Sequence, residues 1–458
     1  MTNLQKCAAI LFQNRPLKMY SHFQGGENLK RKTRAIYDNL LNAIRQVVEQ
    51  KDSFCQKPGI HFSRNRSLPF KETIQFVLNL ESQSLQTNLN HFFSFRKDTP
   101  TRSAFIQQRK KINHEAFRQL FRYFMDSFTA PKLFHGYRLL ACDGSDVNLP
   151  RNPRDTVTSC SANPAAKSYN KIHINALFDI MNRIYVDYSI DTGFASYEAE
   201  ALHAFSDKLS GSKTIFIADR GYGTHNTILH LQHNNACFVI RTKDITSNGM
   251  LSPYHLPDAE FDMDISRSIT SKRSKALSDP DNYVYIDKRS RPQCSKEDDV
   301  QIRFRVIRFR LSDGSYESII TNLPRDSFSA KLIKEIYHLR WGIETSFRSL
   351  KYTIDMMHFH AKRFALILQE IHASFTLFNF CSLILQSNPY QKGKEVSSKY
   401  IPNFSLAVDS CRKFLQQNGN PEYLNLLHMN PSAIRPGRRF PRYLHNTKPA
   451  PSFNYRPS

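Results

Sequence analysis

The sequence predicts an α/β fold: a mixed sheet flanked by helices, interrupted by a β-rich insertion, and preceded by an α-helical N-terminal region. Three observations predict it. Apolar runs of strand length at Tyr137–Cys142, Thr214–Ala218 and Cys237–Arg241 stand among helix-patterned segments. Between 243 and 325 the pattern turns to alternation, with Phe261, Met263 and Ile265 set against Asp262, Asp264 and Ser266. Before residue 130, apolar positions recur at helical spacing. At 458 residues the chain has room for a large core and two to four domains. The expected divisions are 1–130 (helical), 134–242 (first part of the sheet core), 243–325 (β insertion), 326–388 (second part of the core) and 389–458 (C-terminal region).

In order, Lys30–Arg45 is compatible with a helix. Pro69 suits a first helical turn, and Phe70, Ile74, Phe76, Val77 and Leu80 continue it as a stripe. Helices are expected over Leu85–Phe95, over Arg102–Lys111 after the Thr99-Pro100 break, and over Glu115–Phe128. Short helices ending in a polar, basic one resemble a helix-turn-helix module, a pattern many helical domains share. The strand Tyr137–Cys142 is expected to stop at Asp143-Gly144-Ser145. His173–Ile180 and Ile184–Ile190 read as a hairpin turning at Met181-Asn182. The helix Tyr197–Leu209 carries Glu198 and Glu200 early and Lys208 late, as the helix dipole favours. Thr214–Ala218 is a buried strand ending in Asp219-Arg220-Gly221-Tyr222; a helix (Asn226–Gln232) and a strand (Cys237–Arg241) follow. In the insertion, Tyr283–Tyr285 and Ile302–Val306 alternate, and the phase slip at Val306-Ile307 predicts a bulge. A helix starts near Ser327, after Pro324. Phe364–Leu385 is apolar but broken by Gln369, Glu370, His372 and Asn379, which predicts a buried helix rather than a membrane span. The last 29 residues, rich in Pro with Arg435, Arg438, Arg439 and Arg442, read as a disordered or DNA-draping tail.

Lys and Arg outnumber Asp and Glu 64 to 40, a net charge of +24. That excess predicts a polyanionic partner, nucleic acid first and an anionic membrane surface second. Arg109 and Lys110, on the basic helix, are candidate contacts. Met1–Tyr20 lacks the charged start and apolar core of a signal peptide. Eight cysteines without a C-x-x-C pair suggest a reduced, cytoplasmic chain with no cysteine-type zinc site. His230/His233 and His358/His360 read as surface or core histidines, since nothing completes a ligand set at the right spacing.

The chemistry centres on Tyr337–Lys351. On one helix, Tyr337, Arg340, Glu344 and Lys351 fall within an arc of roughly 60°, and Arg348 adds a further cation as a candidate DNA contact. A carboxylate flanked by cations and a phenol suits a site that holds a metal ion against a phosphodiester; a solvated charged face is the plainer alternative. Asp143 and Asp219 each follow an apolar strand, where side chains of an α/β sheet converge on one edge. Each alone reads as a turn residue. With Glu344 they make three hard oxygen donors suited to Mg²⁺, or Mn²⁺ in its place. Two such ions, about 3.5–4 Å apart, can activate a water or 3′-hydroxyl and stabilise the leaving oxygen. Asp143 is the candidate for the shared ligand; Asp146, Asp179 and Asp187 are its rivals.

Asp143-Gly-Ser, Asp219-Arg-Gly-Tyr and Tyr337-x2-Arg340-x3-Glu344-x6-Lys351 resemble the DDE transposases of the insertion sequence 4 group, whose Y-R-E-K signature the last motif matches at every spacing. Ser103–Arg109, Thr321–Pro324, His360–Arg363 and Arg435–Arg438 extend the resemblance over about residues 60 to 445. It implies an RNase H-like core interrupted by a β-rich insertion before the third acid; the helix-turn-helix-like pattern of residues 1–130 is what makes them the expected DNA-binding region. It implies cut-and-paste transposition with Asp143, Asp219 and Glu344 as catalytic metal ligands and Tyr337, Arg340 and Lys351 on phosphates. Terminal inverted repeats and target DNA would be the partners of a synaptic homodimer, in a bacterial, nucleoid-associated setting and without a membrane. Hairpin-forming relatives stack a flipped base on a Trp of the insertion; here the one Trp is Trp341, inside the signature helix. Tyr254, Phe261, Tyr283, Tyr285, Phe304 and Phe309 are the aromatic alternatives. A nuclease that cuts without joining, and a DNA-end-binding regulator without catalysis, are the competing functions.

Overall fold

The structure, a computed structural model, describes residues 25–64, 67–128, 132–161, 167–193, 197–288, 299–311, 313–392, 395–396 and 400–433. The basic Pro-rich tail, from 434 on, and Met1–Tyr20 lie outside the described residues.

The sheet is built around β1 (Arg138–Leu149), β3 (Tyr169–Asp179), β4 (Ile184–Thr192), β5 (Thr214–Ala218) and β6 (Cys237–Thr242). β1 runs antiparallel to β3 and parallel to β5, β3 pairs antiparallel with β4, and β5 pairs parallel with β6. All five residues of β5 are buried, as expected of a parallel strand covered on both faces. Alternation along β1 and β5 sends Leu139, Ala141, Ile215 and Ile217 to one core and Leu140, Cys142, Phe216 and Ala218 to another.

The insertion does not stand apart from this sheet. Its strands β7 (Phe261–Thr270), β8 (Tyr283–Tyr285), β9 (Val300–Arg310) and β10 (Tyr316–Thr321) continue it in the order β6-β10-β9-β7-β8, through antiparallel pairing of β10 with β6. A two-residue strand β2 (Ser159–Cys160) pairs with the start of β3. The expected bulge at Val306-Ile307 is absent. Both residues stay in register with β7 and β10, and the run Phe304–Phe309 is buried on both faces. Arg305 and Arg308 fit that interior because Asp262 and Asp244 take each guanidinium through two hydrogen bonds, of 2.6 and 2.9 Å respectively.

The N-terminal helices α1 (Gly25–Glu49), α2 (Phe70–Leu78), α3 (Leu85–Phe92), α4 (Arg102–Arg109) and α5 (Glu115–Asp126) form where the apolar stripes predict. Ser84 and Thr101 cap α3 and α4 by accepting from the N–H of Thr87 and Ala104. On the sheet lie α6 (Glu198–Lys208) and α7 (His225–His233), with a short α8 (Arg273–Ser278) beside β8. The signature stretch divides into α9 (Ala330–Leu339), α10 (Trp341–Arg348) and a π-helical turn, Ser349–Thr353. The apolar run is α11 (Phe364–Ser387). It is long and apolar enough to cross a membrane by composition, yet 78% of its most apolar window is buried within the fold. Helices α1, α2 and α5 pack against it, so the N-terminal helices share one core with the first face of the sheet.

Candidate functional site

β1 does not stop at Cys142. It continues through Asp143 and Gly144 to Leu149, paired with β3 throughout, so Asp143 is a mid-strand residue. In the parallel ladder Cys142 stands opposite Ala218. The next positions are Asp143 and Asp219, on strands about 4.8 Å apart. Both share the face of Leu139, Ala141, Ile215 and Ile217, which is the face that α9 and α10 cover. Asp219 keeps an extended backbone before the 3₁₀ turn Arg220–Tyr222 and accepts from the Arg220 N–H at 2.6 Å.

From the helical side, Arg340 sits at the α9–α10 junction, 6% exposed. Its guanidinium is 2.6 Å from Glu344, 3.6 Å from Asp143 and 3.6 Å from Asp219. The three candidate acids therefore surround one cation. Tyr337 donates its hydroxyl to Asp219 at 3.1 Å. Lys351, on the π turn, donates to Ser145 Oγ (2.8 Å) and to the Asp146 carbonyl (2.5 Å), so its charge braces the extension of β1. Arg348 is exposed.

Burial pushes the Asp143 carboxyl up to about 6, although Arg340 and the Gly144 N–H oppose that rise. Burial acts the same way on Asp219, but there the Arg220 N–H, Arg340, Arg241 and Tyr337 outweigh it and hold the carboxyl below its ordinary range. Burial raises the Tyr337 phenol and lowers the Lys351 ammonium. Burial also opposes the charge on Arg340, but the groups around it, Tyr337, Asp219 and Glu344, raise its pKa overall.

The rival acids are engaged elsewhere. Asp179 is fully buried against Arg138 (2.6 Å) and the Asn182 N–H. Asp187 pairs with Arg118 and, at 2.5 Å, with Lys208. Asp146 pairs with Lys171 (3.0 Å) and His173 (2.8 Å).

Arg109 needs correcting as a DNA contact. Its side chain is 2% exposed and lies 2.7 Å from Glu370 of α11, itself buried. A guanidinium sealed in that interior cannot meet a phosphate. Lys110 beside it is half-buried. Of the aromatic alternatives for stacking, Tyr254, Phe304 and Phe309 are buried, Phe261 and Tyr283 half-buried, and Tyr285 exposed with Arg273 5.3 Å from its ring centre. Trp341 is exposed beside Arg340. His230 bonds Asp207 and stacks on His203, while His360 is buried against Glu370.

Three residues at this site went unread in the sequence. Arg241, the penultimate residue of β6, lies one register step past the Ala218–Ile240 pair, which puts it beside Asp219 at 3.8 Å, with Glu317 at 3.5 Å on its other side. Its strand-end position was the available signal. His173 and Glu198 lie on the opposite face of β1, against Gly144, whose place inside the strand the sequence did not signal.

Among the described residues, no group of three or more His, Cys, Asp and Glu is drawn together closely enough to enclose an ion. Asp143, Asp219 and Glu344 instead enclose the Arg340 guanidinium. Three carboxylates suit Mg²⁺ or Mn²⁺ by donor chemistry, once the guanidinium turns aside.

A family model described as the transposase DDE domain matches residues 134–380, more than half of the chain. No curated protein matches it. A cryo-EM structure of the piggyBac transposase synaptic complex with hairpin DNA is similar at 10% identity and a TM-score of 0.46, over 84% of this chain and 78% of that one.

Proposed function

Since this chain belongs to the transposase DDE domain family, we propose that it is a cut-and-paste DNA transposase of the insertion sequence 4 group, cleaving at terminal inverted repeats and joining 3′-hydroxyls to target DNA. The observation that carries the proposal is the convergence of Asp143, Asp219 and Glu344 on one cation where the parallel pairing of β1 with β5 ends. An RNase H-like core is supported by the strand order β4-β3-β1-β5-β6, antiparallel on one side of β1 and parallel on the other.

In this reading Asp143, Asp219 and Glu344 hold two Mg²⁺ ions, or Mn²⁺ in their place. When bound, those ions supply the activation of the attacking oxygen and the stabilisation of the leaving one. The chain does the rest. Tyr337 and Arg241 orient Asp219, leaving Asp143 as the carboxylate with fewer hydrogen-bonded partners of its own. Arg340 offers a planar fork that exchanges carboxylate for phosphate, and exposed Arg348 extends the positive rim. Lys351 fixes Ser145 and Asp146, and so the strand on which Asp143 rides. The +24 charge favours DNA by counterion release. A synaptic homodimer acting in the bacterial cytoplasm, at the nucleoid, completes the proposal.

The test is cleavage of a labelled duplex bearing the element's end, in Mg²⁺, by the native protein and by Glu344→Gln. Native protein should nick the end and lose that activity in EDTA; Glu344→Gln should bind the duplex without cutting. A native protein that shifts the duplex yet never cuts it, in Mg²⁺ or Mn²⁺, would move the non-catalytic end-binder ahead. Cutting without any joined product would leave a nuclease.

A further inference from the structure

Gly144 pairs with Asn175 inside a regular ladder, and its φ is not positive, so no turn explains the glycine. Space does. A Cβ there would lie within the contact radius of His173 Nε2 and 2.7 Å from Glu198 Oε1. Gly221, in the turn after Asp219, would bring a Cβ to 3.3 Å from Glu198 Oε2. One carboxylate thus presses on the glycines that follow both aspartates, from the face of the sheet opposite Arg340 and Glu344.

Glu198 opens α6, and His173 of β3 stands over it. His173 is 6% exposed; its Nδ1 donates to Asp146 at 2.8 Å, while Nε2 lies 3.4 Å from Glu198 Oε1 without hydrogen-bond geometry. Burial works against a charged imidazole, but Asp146 and Glu198 hold it up to about 9. Asp146 is the residue whose carbonyl Lys351 grips. A continuous set of contacts therefore runs from Lys351 through Asp146 and His173 to Glu198, and encloses the backbone of Asp143-Gly144.

We propose that Glu198, steered by His173, is a positioning residue of the acid site: it wedges the Asp143-Gly144 strand against the Asp219-Arg220-Gly221 turn and sets the spacing of the two aspartates. The proposal rests on the transposase reading above. Partners one shell out from metal ligands typically change ion affinity or activity by about 10–100-fold when removed. Glu198 acts here on two ligands at once, through their backbone.

The test uses the full chain and Mn²⁺ alone as the probe, followed by electron paramagnetic resonance titration, with end cleavage and thermal melting in parallel. Glu198→Gln keeps the volume and removes the charge; Gly221→Ala leaves Glu198 itself unchanged and crowds its Oε2 with a Cβ at 3.3 Å. Both should melt with the native protein and bind the end duplex at unchanged KM. Both should weaken Mn²⁺ binding by about tenfold or more and lower kcat. Glu198→Gln with native Mn²⁺ affinity and native kcat would overturn the positioning role while leaving the transposase reading intact. A lowered melting temperature with native Mn²⁺ affinity would make Glu198 purely structural, and would overturn it too. Native protein that neither binds Mn²⁺ nor cuts would sink the transposase reading itself, and the positioning role with it.

Discussion

Arg109 provides the sharpest contrast between a charge that binds DNA and one that holds the fold. Its guanidinium lies 2.7 Å from Glu370, donates from Nε to Gln369 at 2.7 Å, and bonds the Leu366 carbonyl. Gln369 returns a bond to the Ile112 carbonyl at 2.8 Å. These contacts pin α4 to α11. Arg109→Met keeps much of the apolar stem and removes the cation, so Glu370 stays buried with His360 as its remaining partner, through the His360 N–H at 2.9 Å. Removing one member of a buried pair costs about 3–5 kcal/mol. The His360 contact puts this case toward the lower end. Arg109→Met/Glu370→Leu removes both charges and should recover part of the loss. Recovery stops short because the His360 N–H is then orphaned, at a cost of about 1–3 kcal/mol. Urea unfolding followed by circular dichroism measures both variants. Duplex binding at several salt concentrations completes the assay. A lost phosphate contact would flatten the slope of log K against log salt by about 0.9, whereas Arg109→Met should leave the slope of the folded protein unchanged. Stability within about 1 kcal/mol of native, together with a flattened slope, would refute the assignment and return Arg109 to the DNA surface.

Two further outcomes follow from ion pairs elsewhere. Arg340→Ala takes the guanidinium out from among Asp143, Asp219 and Glu344, so Mn²⁺ should bind about tenfold or more tightly without DNA, worth roughly 1.4 kcal/mol, while end cleavage falls for want of a phosphate contact. Weaker Mn²⁺ binding would mean that Arg340 holds the acids in place rather than occupying their centre. Burial raises Asp244, but paired bonds from Arg308 and the Ser318 hydroxyl outweigh it and hold the carboxyl at about 2. A depressed folded value gives stability that is present above about pH 4 and lost as pH falls toward 2. Asp244→Asn should therefore cost about 2 kcal/mol at pH 7 and flatten the acid limb of unfolding between pH 5 and 2. An unchanged acid limb would count against that pairing.

Much of the architecture was legible because its signals are local. Thr214–Ala218, the strand over Cys237–Arg241 (one residue longer in the structure) and the helix after Tyr197 follow from apolar period and the placement of charge along the helix. The spacing from Tyr337 to Lys351 placed Arg340 and Glu344 on one face, although the helix divides at Arg340 and ends in a π turn. What escaped has tertiary causes. Gly144 reads as a turn until His173 and Glu198, remote in sequence, are seen to fill its Cβ space. Arg109 reads as a surface cation until Glu370 arrives from the other end of the chain. The phase slip in β9 reads as a bulge until sheet neighbours and covering layers are known, since a strand buried on both faces has no polar side to keep in phase. Arg241 needed only register arithmetic from Asp219, which a strand list alone does not prompt.

The pairing of β10 with β6 has a consequence for the edge of the central sheet. A sheet that ended at β6 would present the backbone of Val239–Thr242 as a bare rim, ready to template a foreign strand. Here Ser318–Thr321 caps that rim, and among the described residues the sheet ends on β8, three residues long, with the cations Arg273 and Lys275 beside the rings of Tyr285 and Tyr283. Short, charged borders are poor templates for addition. The segment between Asp219 and Glu344 thus serves as a selvedge: it finishes the fabric of the sheet, so that the rim of β6 is bound in rather than left to ravel.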